Sequence, residues 1–165
     1  MLAGALNNRQ QAYLFLGRLE ESILDGTRAL ELFEALQDLA QIGDTQQLLA
    51  VVLYEQGFLG QSRRHLEQAL RSFRESGSML WAMLCETNLG NLDLFEGRYA
   101  SAENALRQVV DQARKSDAWL VLVTALNKLG ILEAELGRSD SAAAFLDEAI
   151  QRAQEIGDME WGLRS

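Results

Sequence analysis

The chain has 165 residues, of which 48% are hydrophobic and none is proline, and a formal net charge of −9. It is long enough to bury a core and holds nothing that breaks helices internally. With Lys115 and Lys128 as its two lysines, the charge balance argues against a nucleic-acid surface, which needs clustered Lys and Arg. The single cysteine, Cys85, cannot close an internal disulfide, so a reducing, cytoplasmic setting is expected. No apolar run approaches the roughly 20 residues of a bilayer span. Met1 to Arg9 lacks the charged lead and apolar block of a signal peptide.

Set against itself at an offset of 40, the chain repeats. Gly97 falls on Gly17, Gly57 and Gly137; Leu89 on Leu49 and Leu129; Gly90 on Ala50 and Gly130. Ala102 falls on Ser22, Ser62 and Ala142, and Leu106 on Leu66 and Leu146. A fixed period of this size means stacked units that bury each other's faces. The units run over about 1–37, 38–77, 78–117 and 118–157, and a fifth starts at 158. Each reads as helix A, a tight turn, then helix B. Helices A are expected at 2–16, 38–56, 78–96 and 118–136, and helices B at 19–36, 59–75, 99–115 and 139–156. The glycines at 17, 57, 97 and 137 close helix A, because a left-handed residue costs glycine nothing. Asp38, Ser78 and Asp158 stand where an N-cap for the next helix A is wanted, with Asp117 one residue early. Small residues at 50, 90 and 130 on helices A and at 22, 62, 102 and 142 on helices B let paired axes approach closely.

Two places break the pattern. Arg9, Gln10 and Gly26 stand where a leucine, a small residue and a second leucine are expected. Gly43 leaves the start of the second helix A open between 38 and 44, since a glycine inside a helix costs about 1 kcal/mol.

Leu89-Gly90, Gly97-Arg98-Tyr99, Ala102 and Leu106 resemble the tetratricopeptide repeat, in the longer-helix version found in sensor regions of maltose-regulator-like activators and signal-transduction ATPases of bacteria. The resemblance covers the whole chain and implies an all-α superhelical array of antiparallel helix pairs. It implies that helix A lines a concave inner surface. Matching positions there are Asn7 and Gln11, Gln47 and Val51, Thr87 and Asn91, and Asn127 and Ile131, with Asn8, Leu48, Asn88 and Lys128 beside them. Tyr54, Glu55, Phe95 and Glu135 continue this lining on the last turns.

Chemistry is sparse. The one histidine, His65, leaves no multi-His metal cluster, no Ser-His-Asp arrangement is expected, and His65 is expected on the solvated surface. Cys85 reads as a small core residue. No glycine-rich phosphate loop occurs. No cofactor, metal or catalysis is expected. Trp81, Trp119 and Trp161 stand near starts of helices A and are expected to pack between units, with an aromatic ledge as the alternative. Five of the six asparagines lie in helices A, although asparagine is a mediocre helix former. Their amides can donate to and accept from a peptide backbone. Asn7, Asn8, Gln11, Gln47, Tyr54, Thr87, Asn88, Asn91, Phe95, Asn127 and Lys128 are therefore expected to form a face that binds a peptide or small effector. The alternative is a structural array with no ligand in its groove. Neither end looks like a polar cap, so a piece of a longer regulator, able to self-associate through its ends, is expected.

Overall fold

The computed structural model describes residues 1–162, with side chains described through Gly157. Among these residues are eight α-helices and no strands. They are α1 (Leu2–Phe15), α2 (Leu19–Leu36), α3 (Leu39–Glu55), α4 (Leu59–Glu75), α5 (Met79–Phe95), α6 (Tyr99–Lys115), α7 (Trp119–Glu135) and α8 (Ser139–Gly162). Two compact units form, Met1–Cys85 and Glu86–Ser165, and the division falls inside α5.

Backbone geometry at the turns explains the helix ends. Gly17, Gly57, Gly97 and Gly137 take left-handed φ of 69°, 80°, 74° and 72°. The next amide then reaches back five residues, as in Arg98 N to Asp93 O and Arg138 N to Glu133 O, both 2.8 Å. Helices B end in the same way. Gly77 has φ 74°, while Gln37 (55°) and Asp117 (51°) adopt the conformation without being glycine. Asp117 thus closes α6 and is not a displaced N-cap; Ala118 precedes α7 without a side-chain cap. Asp38 does cap, its Oδ1 accepting from Gln41 N at 3.2 Å, so the second helix A starts at Leu39. Gly43 lies inside that helix because a Cβ there would stand 2.7 Å from the Phe73 ring.

The fourth position of this series differs. Gly157 takes no left-handed φ, and α8 runs through it to Gly162. The turn expected before a fifth unit at 158, and the N-cap role given to Asp158, are therefore corrected. The Asp158 and Trp161 side chains lie outside the described residues.

Within Met1–Cys85, α1 packs on α2, α3 on α4, and α3 on α2. Ala29, Leu49, Val52, Leu66, Ala69 and Phe73 are buried in this unit. Within Glu86–Ser165, α7 packs on both α6 and α8. Leu92, Leu106, Leu122, Leu126, Leu129 and Leu132 are at most 1% exposed; each contributes about 1.5–3 kcal/mol by burial. Close approach of paired helices is direct: a Cβ on Gly90 would lie 3.0 Å from Leu106, and one on Gly130 2.6 Å from Leu146. Where the small helix-B residue is serine, it also bridges the pair. Ser22 Oγ donates to Gln10 O at 2.9 Å and Ser62 Oγ to Ala50 O at 2.8 Å.

Candidate functional site

Helix geometry sorts the expected site residues into two columns. Positions four and three apart share one face, and on α5 that face carries Leu84, Asn88, Asn91 and Phe95. The first three are half-buried and Phe95 is 62% exposed. In register on α7 stand Thr124, Lys128, Ile131 and Glu135, half-buried or exposed. On α1 the same positions hold Asn8, Gln11 and Phe15, all exposed, and on α3 Leu48, Val51 and Glu55. Tyr54, beside this column, is half-buried. The column is an open stripe of amide and apolar groups.

The second column faces elsewhere. Asn7 is 6% exposed and its amide is occupied: Nδ2 donates to Asp44 Oδ2 at 2.6 Å, and Oδ1 accepts from Thr45 Oγ1 at 3.1 Å. One repeat on, Gln47 Oε1 accepts from Cys85 Sγ at 3.5 Å. Thr87 is fully buried. Asn7 joins α1 to α3 and Gln47 joins α3 to α5; Asn7, so engaged, and Thr87, buried, are corrected from ligand-facing to inward-facing. Asn127 belongs to this column too. It is exposed, and no element among the described residues covers it. It does not join Asn88 and Asn91 on their stripe.

Other expectations also shift. His65 is half-buried rather than solvated, with Nδ1 2.5 Å from Gln46 Oε1. Burial pushes its pKa below the ordinary value, and the Arg64 charge adds to this. Trp81 stacks on Phe73, ring centroids 6.2 Å apart, and remains 44% exposed. Trp119 is half-buried under the Arg152 guanidinium at 5.3 Å.

Three buried carboxylates, Asp25, Asp93 and Glu133, had no place in the reading above. Asp93 accepts from Arg98 Nη2 at 2.7 Å and from Ser101 Oγ at 2.5 Å. Glu133, 1% exposed, accepts from Arg107 Nη2 at 3.1 Å and pairs with Arg138 at 3.4 Å. Both stand five residues before the arginine that follows the turn glycine. In the first unit that place is taken by Tyr13 and Arg18, whose guanidinium lies 4.5 Å from the ring; in the second it is taken by Leu53 and Phe58. The signal in the sequence was an acid, four residues, then Arg, at equal register in two units. Hydrogen bonding from Arg107 holds the Glu103 carboxyl below its ordinary pKa within the same cluster. These charges are paired off among themselves. No group of three or more His, Cys, Asp or Glu that could hold a metal ion occurs among the described residues. No described helix is long and apolar enough to cross a membrane. The stripe can donate and accept hydrogen bonds and bury apolar side chains.

Comparison with known proteins agrees with this architecture. The regulatory protein AfsR of Streptomyces griseus is 26% identical over 145 residues, covering 88% of this chain and 14% of that protein. Among solved structures, the apo form of RapI has a TM-score of 0.84 at 18% identity, covering 99% of this chain and 60% of RapI. Aspartyl phosphate phosphatase F from Bacillus subtilis gives 0.84 at 15% identity, covering 94% of this chain and 41% of that one. At these identities the solved structures show the fold alone. The chain spans less than two thirds of the length of each. The family match falls on residues 38–115 and 78–155, the stretch where the sequence repeats most regularly, and the chain belongs to the tetratricopeptide repeat family.

Proposed function

We propose that the chain is a non-catalytic interaction module that binds an extended protein segment along the open stripe of its helices A, as the sensor or scaffold part of a cytoplasmic bacterial regulator. The observation that carries this reading is the α5 stripe, where two half-buried amides one turn apart, Asn88 and Asn91, lie beside the exposed ring of Phe95. An amide pairs with a peptide backbone whatever its sequence, and a neighbouring ring offers an apolar anchor. Lys128 stands at the matching position on α7 of the same unit, and Asn8, Gln11 and Tyr54 line the corresponding face within Met1–Cys85. The regulatory role of the Streptomyces relative supports the class of protein, though fold by itself does not imply function.

The test is selection of short peptides on the immobilised chain, followed by the Asn88→Ala/Asn91→Ala variant. Losing two ligand amides should weaken binding about tenfold or more, at roughly 0.5–1.5 kcal/mol each. Neither amide is needed by the fold, so stability should stay within about 0.5 kcal/mol of the parent. Equal binding by parent and variant would remove the stripe as the site.

A further inference from the structure

The α7–α8 hairpin meets α6 through a joint made of charge. Glu133, on α7, is 1% exposed and receives two guanidinium groups: Arg138 of its own hairpin at 3.4 Å and Arg107 of α6 at 3.1 Å. Arg107 also donates to Glu103 Oε1 at 3.0 Å, and Arg138 donates to Glu103 Oε2 at 3.4 Å. Two acids and two arginines thus alternate in a closed ring across the joint. The Arg107 guanidinium also lies 5.4 Å from the Phe145 ring of α8.

The matching joint in Met1–Cys85 is built without charge. There α2 packs on α3, but the repeat positions of Glu103, Arg107, Glu133 and Arg138 hold Ile23, Thr27, Leu53 and Phe58. Leu53 is buried, as Glu133 is. One place in the repeat is therefore filled by an alkyl group in one unit and by a carboxylate in the other.

The two fillings make different demands. Burial of Leu53 owes nothing to ion pairing. Burial of Glu133 is tolerated only while guanidinium groups neutralise it. Dissolved ions can reach those groups, since the Arg107 and Arg138 side chains are 48% and 51% exposed. Salt screens exposed charges, the Debye length falling from about 10 Å at 0.1 M to about 3 Å at 1 M. A less neutralised Glu133 gains by taking up water, which at 1% exposure it reaches only when the joint opens.

We propose that this ring of four charges is a salt-responsive latch. It sets how firmly the α7–α8 hairpin is held to α6, and rising ionic strength loosens it while the joint between α2 and α3 is unmoved. The latch holds α7, and with it Lys128 and Ile131, against the hairpin that bears Asn88 and Asn91. It makes Glu86–Ser165 the unit in which the stripe is adjustable. Neither the ring nor its test depends on the stripe binding a peptide.

The test is hydrogen–deuterium exchange of the full chain, read by mass spectrometry at about 0.1 and 1 M NaCl. Amides of α7 and of residues 139–149 in α8 should exchange several-fold faster at the higher salt, whereas those of α3 and α4 should not change. A fourfold variant, Glu103→Ile, Arg107→Thr, Glu133→Leu and Arg138→Phe, gives Glu86–Ser165 the residues of Met1–Cys85. Replacing a buried ion cluster by apolar groups is often neutral or stabilising, so the variant should fold and lose the salt response. If it loses helix content, Glu133→Leu with Arg107→Thr stands in, with the same expected loss. Equal exchange of the parent at both salts, an equal acceleration in α3 and α4, or a variant that still responds to salt would each overturn the latch.

Discussion

The first and fourth hairpins solve one packing problem in opposite ways. In the fourth, Gly130 on helix A makes room for Leu146 on helix B, and a Cβ on Gly130 would lie 2.6 Å from the Leu146 side chain. In the first, the large residue is on helix A and the small one on helix B: Gln10 fills the space above Gly26, where a Cβ would lie 2.4 Å from the Gln10 amide. What the repeat conserves is the summed volume across the pair, as close packing requires. The reversal has a cost. Gln10 is fully buried, and neither Nε2 nor Oε1 has a hydrogen-bond partner. The neighbouring departure, Arg9, is compensated, since its guanidinium holds the buried Asp25 through bonds of 2.5 and 2.8 Å.

That comparison can be broken most directly by filling either hole. Gly130→Leu and Gly26→Leu should each destabilise by about 1–3 kcal/mol through overpacking, seen as a lower urea midpoint. Unchanged midpoints would mean that the hairpins do not close at these positions.

Converting the first hairpin to the arrangement of the fourth sharpens the point. Gln10→Gly combined with Gly26→Leu should be more stable than the two single changes added together, by about 0.5–3 kcal/mol of coupling. Strict additivity in the double-mutant cycle would count against volume exchange. A smaller gain, about 1 kcal/mol, is expected for Gln10→Leu alone, because it removes a buried amide that finds no partner. Thermal unfolding followed by circular dichroism measures it; a loss of stability would mean that the amide has a partner.

The smallest expected effect concerns the second hairpin, where His65 occupies the repeat position of Asp25. Its folded pKa is lowered by burial, so the unfolded chain takes up the proton first as pH falls. The stability this contributes is present above the ordinary histidine pKa of about 6.5 and is lost as pH falls through that value. The melting temperature should drop between pH 7.5 and 5.5, and drop less in His65→Gln. Equal drops would place the pH dependence in the carboxylates.

Much of the fold was legible because it is local. A glycine at 17, 57, 97 or 137 can take a left-handed φ whatever surrounds it, and the apolar and small positions follow from helical spacing and a period of 40. The candidate stripe was legible in part. Asn88, Asn91 and Phe95 share a face by spacing alone. Asn7 was misplaced because α3 covers its side of α1, and Thr87 because its side chain is buried; no rule within one helix says which column a neighbour covers. Gly43 shows the same limit: propensity makes it a helix breaker, whereas the Phe73 ring makes it a space. Asp93 and Glu133 are recognisable in retrospect by their constant distance from Arg98 and Arg138, but their burial depends on the helices packed around them.

By itself the sequence determined the helical class, the hairpin length and the turn positions. Tertiary structure alone decided which face of each helix A stays open, where a glycine is a gap rather than a hinge, and that α8 continues past Gly157. The physical reason is that backbone propensity and helical period act within a few residues, whereas exposure depends on which neighbouring helix takes the apolar surface first.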